Sequence, residues 1–165
     1  MVRTTSLTYC VIQNTVLDTR WVFDHSMKTN INRADILVRM LAIDAFYKKN
    51  DFGFDFYNAM QRTRCSLNDK VSADYADHLD CFIELIQSMK KGYDYTKPIL
   101  LNSNRELLDG SHRLSLCMYY NIEKIPVIIC DNQTSIDYSL QWFLDNGLQH
   151  FEKYILQKYK EIIHK

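Results

Sequence analysis

Neither sign of charge is in surplus in this sequence: lysine plus arginine and aspartate plus glutamate number 20 each. A protein that coats nucleic acid gains much of its affinity from basic side chains on phosphates, so the balance argues against a DNA-binding role. Residues of turns and linkers are scarce, with four glycines and two prolines in 165 residues, which argues against long disordered linkers. Paired cysteines are missing too. Cys10, Cys65, Cys81, Cys117 and Cys130 are scattered, odd in number and never in a CxxC pair. They read as reduced thiols, mostly small core hydrophobes, and supply no zinc cluster. No apolar run nears the roughly 18 residues of a membrane helix. The opening Met-Val-Arg-Thr-Thr-Ser has no signal-peptide core, so the expectation is a cytoplasmic protein with no membrane association.

What is present is a chain long enough for one hydrophobic core and short for two, expected to form a single domain over residues 1–165. Ser6 to Asn14 is rich in β-formers and reads as a first strand. Asn32-Arg33-Ala34-Asp35 opens a helix whose apolar residues recur at helical spacing until Lys48-Lys49-Asn50 closes it. Asp51 to Phe54 reads as a turn, Asp55 to Arg64 as a shorter helix, and Asp69 to Ala73 as a polar loop. Asp74 begins a second long helix that stops at Gly92. Pro98–Leu101 and Glu106–Leu108 form a hairpin around Asn102-Ser103-Asn104-Arg105, and a helix then starts at Ser111 or His112 and ends near Asn121. Pro126 to Cys130 is a compact strand. Ser135 to Lys165 is helical in pattern, with a break at Asn146-Gly147.

The segment that carries chemistry is strand, turn, helix: Leu107-Leu108-Asp109-Gly110-Ser111-His112-Arg113. A helix start exposes about four unpaired amides and roughly half a positive charge. Gly110 lets backbone approach a ligand, Ser111 adds a hydroxyl, Arg113 offers a planar fork, and His112 can donate to a phosphate or move a proton. These are the parts of an anion cradle. The same letters also spell a plain turn, with Ser111 as helix cap and Arg113 as a surface charge.

The ordered features from Leu85-Ile86-Gln87-Ser88-Met89 through Gly92, Pro98-Ile99-Leu100-Leu101, Asp109-Gly110-Ser111-His112-Arg113 to Ile125-Pro126-Val127-Ile128 resemble the ParB/sulfiredoxin superfamily. The wording Leu-Asp-Gly-Ser-His-Arg, with Trp142-Phe143 ahead of Gly147, looks most like the small ParB-like proteins of polysaccharide-synthesis loci, alongside the free serine kinases. The resemblance implies an α/β (α+β) fold with a small mixed sheet, a core at about 74–131, helical extensions at both ends (the C-terminal one at 135–165), and binding of nucleotide phosphates.

Two activities of that superfamily are disfavoured by departures from its patterns. Sulfiredoxins carry a reactive cysteine immediately before the His-Arg pair, where this chain has Ser111, and a serine cannot act through a thiolate. Partition proteins continue into a DNA-reading region, and only about 35 residues without basic bias follow the last strand here. The resemblance therefore implies a kinase using ATP, or another nucleoside di- or triphosphate, with Mg2+, acting on a small hydroxyl compound such as serine or a sugar or polysaccharide precursor. The alternative is a non-catalytic nucleotide-binding regulatory module in a surface-polysaccharide pathway. Asp109, Gly110, Ser111, His112 and Arg113 would hold the nucleotide, with Asp109 also on the metal. The family's acidic base has no glutamate to match it before Glu84, leaving Asp18, Asp24, Asp35 and Asp44, of which Asp35 is preferred and shares the catalytic role with His112. Arg33 and Arg39 would contact substrate, although an Asp35–Arg39 pair four residues apart also fits a helix surface. Arg62 and Arg64 are further anion-gripping candidates. His25 is a possible pocket residue, while His78, His150 and His164 read as surface residues.

Overall fold

The computed structural model describes residues 11–28, 30–67, 75–131 and 133–165. Among them the architecture is α+β, with seven α-helices and one four-stranded mixed sheet. The first strand, β1 (Val11–Asp18), runs straight into α1 (Thr19–Met27), because the Asp18 carboxylate accepts the Trp21 amide at 2.9 Å and caps the helix. Two longer helices follow, α2 (Ala34–Phe46) and α3 (Gly53–Leu67). The next, α4 (Tyr75–Ser88), ends in a short 3-10 turn and then Gly92, whose φ of 94° stops the helix. β2 (Ile99–Asn102) and β3 (Leu107–Asp109) form the expected hairpin, and α5 (Ser111–Tyr119) starts two residues after β3. β4 (Lys124–Cys130), α6 (Leu140–Asp145) and α7 (Glu152–Ile163) complete the chain.

The sheet order is β1-β4-β2-β3. β4 is antiparallel to β1 and parallel to β2, which is in turn antiparallel to β3. Pro126, which has no N–H to donate, lies in an inner strand, yet the pairing with β2 begins only at Val127. Ile125, Val127 and Ile129 face the core at alternate positions of β4.

Helix α2 is the centre of the molecule. All its residues from Ala34 to Asp44 are buried, so it has no solvent face. Three of them, Asp35, Arg39 and Asp44, are charged and must find partners inside. At its far end the Asp44 carboxylate accepts the Lys158 ammonium at 2.5 Å and the Tyr119 hydroxyl at 2.9 Å, tying α7 and α5 to α2. One buried core cluster takes members from Val22 to Ile162, so α6 and α7 pack into it through Phe143, Ile155 and Ile162.

Several element expectations need correction. Strand β1, described over 11–18, runs past the expected end at Asn14, while Ser6 to Cys10 of the expected strand fall outside the described residues. Helix α1 was not expected at all. Helix α3 begins two residues before Asp55, because the Asn50 side chain accepts the amides of Phe52 and Gly53 at 3.2 and 2.8 Å and organises its start. The expected polar loop at Asp69 to Ala73 and the helix start at Asp74 lie outside the described residues.

Candidate functional site

The turn between β3 and α5 is held by glycine geometry. Gly110 sits at φ 106°, a left-handed conformation that disfavours any side chain. A Cβ there would lie 2.5 Å from Ile99 Cγ2 on β2, so the glycine also lets helix and strand approach. The Gly110 amide donates to Asp109 Oδ1 at 2.7 Å, and the Gly110 carbonyl accepts the first helical bond, from the Leu114 amide, at 2.9 Å. The amides of Ser111, His112 and Arg113 therefore precede the α5 ladder.

Ser111 is joined to α2 by Arg33. That buried guanidinium donates to Ser111 Oγ at 2.8 Å, to the Leu107 carbonyl at 2.9 Å, and through Nε and Nη2 to both oxygens of Asp35 at 2.8 and 2.9 Å. Arg39, 1% exposed, donates to the other side of Asp35, reaching Oδ2 at 2.8 Å and the Asp35 carbonyl at 2.9 Å. The expected Asp35–Arg39 pair is thus present, but in the interior and not on a helix surface.

Arg64 approaches from α3, with its guanidinium 4.6 Å from the centre of the Tyr138 ring; Arg33 lies 5.9 Å from the same ring. The backbone of Tyr138 forms a parallel bridge with Arg33, so the segment before α6 closes over this region. Buried Nε atoms of Arg39 and Arg64 have no hydrogen-bond partner.

These surroundings set the protonation states. Burial pushes the Asp35 carboxyl up, but the charge and hydrogen bonds of Arg33, then the charges of Arg39 and Arg64, pull it further down, well below the usual carboxylate range. A carboxylate that is 0% exposed and shared by two guanidiniums cannot reach a substrate hydroxyl and has little affinity for its proton. That makes Asp35 a poor fit to the expected role of general base. Burial lowers the Arg39 pKa to about 10, with Asp35 opposing and Arg64 adding to the fall.

His112 is likewise engaged inside the fold. Its ring lies between α3 and α4, 4.6 Å from the Phe82 ring by centroids, and Nε2 is 2.7 Å from the Tyr57 hydroxyl. The hydroxyl is also held by the His78 carbonyl at 3.1 Å and by Gln61 at 3.3 Å. Burial, then the charges of Arg39 and Arg64, hold the imidazole well below its ordinary pKa, with Asp35 opposing. What His112 brings to the turn is its amide; its ring is a packed, neutral group.

Arg113 donates to the Pro98 carbonyl, and its Nη2 lies 3.7 Å from Asp109 Oδ2, so its fork is partly engaged beside the turn. The Asp109 carboxylate is 66% exposed and is the open acidic group at the turn. Among the described residues no group of three His, Cys, Asp or Glu side chains gathers to hold a metal ion. A magnesium ion carried in by phosphates needs only one or two protein carboxylates, and Asp109 fits that requirement.

The structure therefore brings Arg33, Asp35, Arg39 and Ser111 into one network and sets His112 beside it. It separates the remaining acidic candidates. Asp18 caps α1, Asp24 pairs with Arg20 on the surface, and Asp44 bonds Lys158 at the other end of α2. His78, expected at the surface, is half-buried and bonded through Nδ1 to Gln61 at 3.1 Å. Tyr57, Gln61, Phe82 and Tyr138 complete the site without having been singled out from the sequence. Comparison with protein-family models, curated proteins and solved structures finds no match to this chain.

Proposed function

We propose that this protein binds the phosphate groups of a nucleotide at the start of α5. One observation carries the reading: Ser111 and the first amides of α5 adjoin a buried group of three guanidiniums, of which Arg33 and Arg39 share the carboxylate of Asp35 while Arg64 acts on it through charge alone. Asp137 also acts on Arg33 through its charge. Surplus positive charge held out of water is costly, and an anion at the helix start relieves it while satisfying free amides. The arginines are ordered by the fold itself, so a phosphate meets a preformed site.

With neither Asp35 nor His112 free to take a proton, the site is better suited to holding a nucleotide than to turning it over. A binding or regulatory module is the first reading. Phosphoryl transfer to a small hydroxyl compound is the second, and the exposed Asp109 favours it. Positioning and charge stabilisation supply most of that chemistry, with Asp109 placed to accept the acceptor's proton or hold Mg2+.

The test is a thermal-shift series with ATP, ADP, CTP and GTP, with and without Mg2+. A ligand at 100 times its Kd stabilises the fold by about 2.7 kcal/mol, a shift of several degrees at this size. Loss of that shift in Arg64→Gln, in a protein that still folds, supports the site; no shift with any nucleotide sinks it. Phosphorus NMR with serine and simple sugars as acceptors then separates the two readings. Turnover that Asp109→Asn abolishes without weakening binding establishes a kinase.

A further inference from the structure

A cavity of about 910 Å3 lies between the α1–α2 connection, the start of β3 and the segment leading into α6. Its size is that of a small-molecule site. The walls carry Asn30, Asn32, Ser135 and Gln141 over an apolar base that includes Leu140 and Leu144. Two wall charges, Lys28 and Glu106, neutralise each other at 2.9 Å, and Asp137 accepts the Ser139 amide at 2.8 Å within charge range of Arg33. The lining thus offers neutral donors and acceptors without a net charge of its own. Of the lining residues His25 is stacked on the neighbouring Trp21, with centroids 4.9 Å apart and planes 11° from parallel, and Trp21 is 45% exposed.

Arg33 belongs to both places. It lines this cavity, and it donates to Ser111 at the start of α5. The loop that presents it is conformationally costly: Lys28 and Ile31 adopt left-handed φ values of 47° and 49°, the second on a β-branched residue. The Asn32 amide to the Met27 carbonyl at 3.0 Å and the Leu140 amide to the Ile31 carbonyl at 3.1 Å fix it there.

We infer that this cavity holds the neutral, hydroxyl-bearing ring body of a phosphate ester whose phosphate is gripped by Ser111, Arg33 and the α5 amides. This rests on the phosphate-binding reading above and adds to it the place where the rest of the ligand sits. Carboxamides and hydroxyls match the hydroxyl and amide groups of such a body, and the flat Trp21–His25 pair suits the face of a ring. A nucleoside and a hexose share that chemistry.

Calorimetry on the full chain separates the possibilities by comparing ATP with tripolyphosphate and glucose 6-phosphate with inorganic phosphate. At least one ester is expected to bind ten-fold or more tightly than its inorganic counterpart, and which one does so identifies the source of the ring. Gln141→Trp and Asn30→Trp fill the cavity from two exposed lining positions. Each is expected to remove that advantage while leaving inorganic affinity unchanged, with circular dichroism confirming the fold. Esters that bind no better than their inorganic partners, or an advantage that survives both substitutions, overturn the inference and leave the phosphate site standing. If none of the four probes binds, the phosphate site itself is overturned, and this inference with it.

Discussion

Asp35 shows how one buried acid can organise an interior. Removing its charge leaves Arg33 and Arg39 uncompensated, so Asp35→Asn is expected to cost about 3–5 kcal/mol, read as a lower urea midpoint. The pH dependence follows from the sign of the shift. The folded pKa lies below the unfolded value of about 3.9, so the stabilisation is complete above roughly pH 5 and drains away as pH falls. Stability of the substituted protein should be flatter below pH 5 than that of the parent; equally steep curves would count against the pairing. His112 offers a second check. Its depressed pKa predicts a ring still neutral at pH 6 by NMR, and stability that declines as pH falls below about 6.5, where the unfolded chain takes up the proton first. Arg39 was legible as a partner of Asp35 from the four-residue spacing. That the pair is interior was also written in the sequence, since apolar residues surround it on every face of the helix, but a salt bridge four residues apart reads more readily as a surface feature.

At the scale of elements, the turn before α5 is the most constrained joint. Gly110→Ala combines a left-handed backbone with a methyl group driven into Ile99, and is expected to cost roughly 2–5 kcal/mol by urea denaturation. A milder loss would show that β2 yields. Gly53 is a second close approach, since a Cβ there would meet the Leu41 carbonyl oxygen of α2 at 2.1 Å. The β2–β3 hairpin, α2, α5 and β4 were readable because hydrophobic period and turn residues agree at each. Helix α1 was not, although Asp18 is a standard cap: its buried residues Thr19, Val22, Phe23, Ser26 and Met27 mix polar with apolar and blur the stripe. The start of α3 was hidden for another reason. Asn50 had been read as the end of α2, and it serves as the organiser of the next helix.

At the scale of the whole molecule, the sequence suggested a core at 74–131 with extensions, whereas the buried residues span both ends of the described chain. Phe143, Phe151 and Ile155 are fully buried, and Lys158 closes on Asp44. Deleting residues 131–165 is therefore expected to abolish cooperative unfolding in urea and near-ultraviolet circular dichroism. A truncated chain that still melts cooperatively would show that the sheet and α2 suffice. Pattern reading could not reveal this integration, because α7 is amphipathic whether it docks on its own chain or on a partner.

The register of β1 against β4 also bears on how the protein is made. Asp18 pairs with Lys124 and Val11 with Cys130, so 106 to 119 positions separate strands that lie side by side. During synthesis β1 leaves the ribosome more than a hundred residues before its neighbour, with Val11, Ile12 and Val16 exposed then as they remain in the fold. Chaperone demand and losses to inclusion bodies should therefore track this first strand more than the helices that follow it.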